Sequence, residues 1–143
     1  MFSRLAKDVM KPKKALALSA ETTVSEAAKL MAKKSAGATM VVEQERLVGI
    51  FTERDALFRV IARGLDPRTT RLGEVMTAEP HTVGPSTPYG SALLIMQENG
   101  FRHVPVVENG KPIGIVGSRS ALDPDLEEFA SEANRREYFR EVR

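Results

Sequence analysis

The stretch GIFTERD, Gly49 to Asp55, comes back 65 residues further along as GIVGSRS, Gly114 to Ser120. Both copies keep Gly-Ile, then an apolar residue, and both keep Arg in sixth place. Thr52, however, has become Gly117, and Asp55 has become Ser120. A frame kept twice with its polar residues kept once is what a duplicated scaffold with unequal sites would leave.

The same shift works outward in both directions. It pairs Val24, Ala27, Ala28 and Met31 with Tyr89, Ala92, Leu93 and Met96, each set spaced i, i+3, i+4, i+7. That spacing predicts an amphipathic helix in each copy. Thr22-Thr23 and Thr87-Pro88 stand at the starts, as N-caps with, in the second copy, Pro at the first helical position. Met40-Val41-Val42 aligns with Pro105-Val106-Val107, and Leu47 to Phe51 with Pro112 to Val116. Between these apolar runs lie EQER (Glu43 to Arg46) and ENGK (Glu108 to Lys111). Two short β-rich runs around a turn predict a hairpin, and Asn109-Gly110 is its strongest short signal. Ala56 to Arg63 reads as a further helix closed by Gly64. A similar entry, Asp8-Val9-Met10 and Glu74-Val75-Met76, precedes each copy as a lead-in strand. The expected units are residues 1–66 with the lead-in and 67–123, with LDPRTTR (Leu65 to Arg71) connecting them and a helical tail over 124–143. Neither copy alone covers both faces of its three-stranded sheet, so the two are expected to pack about an internal pseudo-twofold axis.

Composition narrows the function classes. The chain has 143 residues, 42% apolar and 28% charged, with no Cys, no Trp and two His. As one unit, a chain of this size buries about 70% of its unfolded surface. Without Cys there is no disulfide framework, thiolate metal site or thiol nucleophile, which fits a cytoplasmic setting. With only two His besides, no metal site is expected. The beginning of the chain, MFSRLAKDVMKPKK, carries no apolar stretch of signal-peptide length, and no segment approaches a membrane span. A net charge of +2, with basic residues dispersed, makes nucleic acid an unfavoured partner. GxSxG, GxxxxGK[ST] and GxGxxG are absent, and no carboxylates are paired for acid–base work, so no catalytic residues and no enzyme are expected.

Taken together, the paired entries, the hairpins ending in GIFTERD and the run Phe101 to Val107 resemble a tandem cystathionine-β-synthase (CBS) domain pair, or Bateman module, of the stand-alone bacterial kind. The match covers about Val9 to Leu122. The resemblance implies an α/β (α+β) fold of two βαββα units. It also implies a regulatory sensor of an adenosine-containing ligand, AMP, ADP, ATP, NAD or S-adenosylmethionine, acting on a partner protein, with no required cofactor. Thr52 and Asp55 fall on the two positions of the family's Gly-h-x-[Ser/Thr]-x-x-Asp pattern that hold the ribose.

Chemistry allows that role, since a carboxylate accepts from two neighbouring hydroxyls and a helix N-terminus attracts anions. The same four residues also spell a helix cap, Thr52 at the N-cap and Asp55 three residues on. Both readings stand at this stage, and they are compatible. For phosphates the candidates are Arg102, His103 and Arg119, all in the second unit, because the family's site lies between units. The base is expected against Ile50, Pro80, His81, Thr82 and Pro105. A mirror-related site would use Ile115, Gly117 and Ser120 with Ala15, Leu16 and Ala17, and is expected to be weak because Gly117 has no hydroxyl and Ser120 no charge. In the tail, Leu126, Phe129, Ala130 and Ala133 form a helical stripe for packing on the domain, a homodimer mate or a partner. A homodimer is expected. The rival reading is a ligand-independent interaction and dimerisation module.

Overall fold

The computed structural model describes residues 4–13 and 16–120. Two antiparallel hairpins form its centre. In the first, β3 (Ala38–Glu43) pairs with β4 (Arg46–Thr52); in the second, β6 (His103–Glu108) pairs with β7 (Lys111–Gly117). The second hairpin turns on Asn109 and Gly110, with φ of 53° and 79°, the type I′ conformation that Asn-Gly favours. Gln44 and Glu45 hold the same conformation at φ 48° and 64° without a glycine.

Helix α2 (Val24–Lys34) lies ahead of the first hairpin and α5 (Tyr89–Asn99) ahead of the second. Thr23 caps α2: its hydroxyl accepts from the Glu26 amide at 3.2 Å while Glu26 returns to the Thr23 amide at 3.4 Å. In α5 the cap position falls on Pro88, and the Thr87 hydroxyl instead accepts from the Gly84 amide at 3.0 Å. Both helices end in a left-handed residue, Ser35 and Gly100. Val24, Ala27 and Met31, like Tyr89, Ala92 and Met96, are buried as their spacing predicts, but Ala28 is exposed and Leu93 half-buried.

The lead-in segments differ from expectation in two ways. Each begins as one helical turn, α1 (Ala6–Val9) or α4 (Leu72–Val75), before a two-residue strand, β1 (Lys11–Pro12) or β5 (Thr77–Ala78). Asp8 and Glu74 tie these turns by accepting from the amides of Leu5 and Arg71, at 3.2 and 2.7 Å. Each strand then joins the hairpin of the other repeat: β1 pairs with β7, and β5 with β4. The sheet orders are therefore β1-β7-β6 and, with β2 (Ala17–Leu18) parallel to β3, β2-β3-β4-β5.

The core follows the same exchange. Leu72 and Val75 pack with Val24, Ala27, Met31, Val41, Phe51 and Val60. Ala6 and Val9 pack with Tyr89, Ala92, Met96, Val104, Val106 and Val116. A third cluster joins Leu16, Ala38, Met40 and Ile50 of the first repeat to Ile115 of the second, closing the sheet faces that neither repeat covers alone. Burial of each Val, Leu, Ile, Met or Phe side chain among them stabilises the fold by about 1.5–3 kcal/mol.

After β4 the chain enters a short helix α3 (Glu53–Asp55) and continues through a π-helical segment, Ala56–Ile61, that ends near Gly64 (φ 69°). Lys14, Ala15 and the tail stripe from Leu126 lie outside the described residues. Among the described residues, no helix is long and apolar enough to cross a membrane.

Candidate functional site

Where the two repeats meet, a cleft of about 310 Å³ opens beside the end of β7. Its apolar wall is Leu16, Ala36, Ala38 and Ile115, and Gly37 and Gly117 supply bare backbone. Four ionisable side chains of the second repeat and the lead-in strand reach it: Lys11, Arg102, His103 and Arg119. Glu53 is the carboxylate among its lining residues, and Ser118 and Ser120 add hydroxyls. Lys11, Arg102 and Arg119 form no salt bridge or side-chain hydrogen bond with any described residue.

His103 is held in place by small neighbours. A Cβ added at Gly37 would lie 3.3 Å from its Cε1 and 3.4 Å from its Nε2, and also 3.4 Å from Glu53 Oε1; one at Gly117 would lie 3.7 Å from its Cδ2. The imidazole therefore lies between two glycine backbones with the Glu53 carboxylate on one side. Burial holds its pKa below the ordinary 6.5; Glu53 pulls it back up, and Arg102 and Lys11 press it down further.

Thr52 and Asp55 lie outside the cleft lining. Asp55 is 7% exposed. Its Oδ2 accepts from the Thr52 amide at 3.0 Å and the Thr52 hydroxyl at 3.2 Å, and its own amide donates to Thr52 Oγ1 at 3.2 Å. Its Oδ1 accepts from the Thr77 hydroxyl at 3.3 Å and faces Arg59 Nε at 3.5 Å. The Thr-x-x-Asp signature is thus a capping box with two further partners.

Ser120 repeats the cap in neutral form, its hydroxyl accepting from the Gly117 amide at 2.8 Å. The Glu53 amide donates to Gly37 O, and the Ser118 amide to Arg102 O, both at 2.9 Å, so the two loops are built alike. Ile50 is buried in the central cluster, and Pro105 is fully buried in β6 opposite Ile115. Pro80 is half-buried and Thr82 exposed.

The expected phosphate trio Arg102, His103 and Arg119 does come together, but with the residues of the mirror-related position, Leu16, Ile115, Gly117 and Ser120. At the other position, His81 and Phe101 stand where the repeat puts Leu16 and Ala36, their rings 5.6 Å apart. Arg54, the counterpart of Arg119, donates to Gly100 O at 2.9 Å and lies 5.4 Å over the Phe58 ring. Lys11, Gly37 and Glu53 escaped the sequence reading. Lys11 arrives only because the lead-in crosses over. Glu53 is the repeat counterpart of Ser118, and that alignment could have pointed to it.

Comparison with known proteins agrees with this architecture. The chain is 36% identical over 120 residues to a CBS domain-containing protein of Arabidopsis thaliana, CBSX3, mitochondrial, covering 80% of this chain and 58% of that one. It spans about a fifth of several other curated relatives. An uncharacterized conserved protein from Pyrococcus horikoshii superposes with a TM-score of 0.78 at 31% identity, covering 87% of this chain and 94% of that one. The CBS domain protein PAE2072 from Pyrobaculum aerophilum, solved in complex with AMP, superposes with a TM-score of 0.73 at 27% identity over 82% of this chain and 89% of that one. The CBS domain family model matches residues 6–62 and again 72–124. The chain belongs to the CBS-domain family and carries two such domains in tandem.

Proposed function

We propose that this protein is a regulatory, non-enzymatic sensor that binds one phosphate-bearing adenine nucleotide in the cleft between its repeats. One observation carries the reading. Lys11, Arg102 and Arg119 converge on one cleft without a carboxylate or carbonyl partner among the described residues. Converging unpaired cations repel one another, and an anionic ligand relieves that cost. Phosphate oxygens would sit among these three and His103. The base would lie on Leu16, Ala38 and Ile115, and the ribose near Ser118 and Ser120. A volume of about 310 Å³ is at the small end for ligand sites, which suits a mononucleotide better than a dinucleotide. The AMP bound to the Pyrobaculum relative supports the ligand class. Occupancy would then bias the relative placement of the repeats, and so a partner, to the extent that the ligand binds the two arrangements unequally.

The test is calorimetric titration with AMP, ADP, ATP, NAD, S-adenosylmethionine and adenosine. AMP should bind most tightly, and Arg102→Ala combined with Arg119→Ala should weaken it by about a hundredfold or more, since each charge-assisted contact contributes on the order of 1.5–3 kcal/mol. Equal binding by the variant, or no binding by any nucleotide below millimolar, overturns the reading.

A second reading has its own observation. Leu57, Phe58 and Ile61 are exposed on the π-helical segment, Ile61 at 68%. Such a patch fits an association surface for a homodimer or partner, with or without ligand.

A further inference from the structure

We propose that His103, with Glu53 beside it, is a proton-accepting specificity residue, so that the cleft takes up a phosphate-bearing nucleotide together with a proton and discriminates against uncharged or cationic nucleosides. The inference rests on the nucleotide reading above and deepens it. A Cβ at Gly37 would lie 3.4 Å from Glu53 Oε1 and 3.3 Å from His103 Cε1, so the carboxylate and the imidazole flank the same stretch of backbone. The charged groups that act on the ring are Glu53 from α3, Arg102 ahead of β6 and Lys11 from β1, and Arg119 after β7 lines the same cleft. No hydrogen bond to either ring nitrogen is formed by a described residue, and neither nitrogen is sealed from solvent. With the cleft empty, burial and two cations favour neutral imidazole against the pull of Glu53.

A phosphate dianion arriving among Lys11, Arg102 and Arg119 reverses that balance. It cancels their repulsion toward an imidazolium and presents oxygens that a protonated ring nitrogen can donate to. The pKa of His103 is then higher with ligand bound than without. Between the two values the bound protein holds more protons, so affinity is full at lower pH and is lost as pH rises through the bound-state value. A neutral nucleoside brings no such change, and a cationic sulfonium nucleoside would oppose it.

The decisive experiment is calorimetry with AMP at pH 7 in two buffers of different ionisation enthalpy, on the wild type and His103→Gln. A phosphate with a second pKa of about 6 is mostly dianionic there, so the ligand itself contributes little proton release. The wild type should take up about 0.3 protons or more per AMP bound, and the variant close to none. Independently of any variant's folding, NMR titration of the His103 Cε1 proton should show its pKa rising when AMP is added and staying put with adenosine. AMP binding with no proton uptake and an unmoved His103 titration overturns this inference and leaves the nucleotide reading standing. Absence of AMP binding altogether overturns both.

Discussion

Asp55 accepts from the Thr52 amide, the Thr52 hydroxyl and the Thr77 hydroxyl and faces the Arg59 guanidinium, all while 7% exposed. Such a residue is a structural hub, and removing it leaves part-buried donors without their acceptor. Asp55→Ala should therefore lower unfolding free energy by about 1–3 kcal/mol in a urea titration, from the lost cap and the unpaired partners. AMP affinity measured on the folded variant should stay within about threefold of wild type, a difference of under 1 kcal/mol. A variant of unchanged stability that loses AMP would return the ribose to Asp55. The cap half of this was legible in Thr-x-x-Asp, whose spacing alone sets it. The Thr77 contact was not, because Thr77 is 22 residues away and reaches Asp55 only through the crossover.

At the scale of elements, the crossover explains the glycine that both copies keep. A Cβ at Gly49 would sit 2.4 Å from Met76 Sδ and 2.9 Å from Thr77 O; at Gly114 it would sit 2.6 Å from Met10 Sδ and 2.7 Å from Lys11 O. Each glycine clears room for the lead-in strand of the other repeat, Met76-Thr77 against β4 and Met10-Lys11 against β7. Gly49→Ala should destabilise the fold by about 1–3 kcal/mol, as overpacking against a backbone carbonyl does, and limited proteolysis should cut first near the displaced lead-in. An unchanged urea midpoint would contradict the close packing of β5 on β4. The two hairpins, the amphipathic helices and the paired entries were all readable from periodicity and the 65-residue shift. Which hairpin each entry joins was not, because a two-residue strand has no periodicity to read and the repeat is equally satisfied by either exchange.

For the whole molecule, duplication creates two related positions between the repeats, and side-chain size distinguishes them. Leu16 and Ala36 line one; His81 and Phe101 occupy the counterpart positions at the other, and Arg54 there turns onto Gly100 O. The cations expected at the site were legible as residues, since Arg102, His103 and Arg119 do converge. That they line one cleft with Ile115 and Gly117 was not, because sequence symmetry does not say which lead-in and which loop meet at which position. The most direct test of the account is diffraction from crystals grown with AMP. The account predicts one nucleotide per chain, its phosphate among Lys11, Arg102 and Arg119 and its base on Leu16 and Ile115. Density with the ribose on the Asp55 carboxylate, or a nucleotide at both positions, would contradict it.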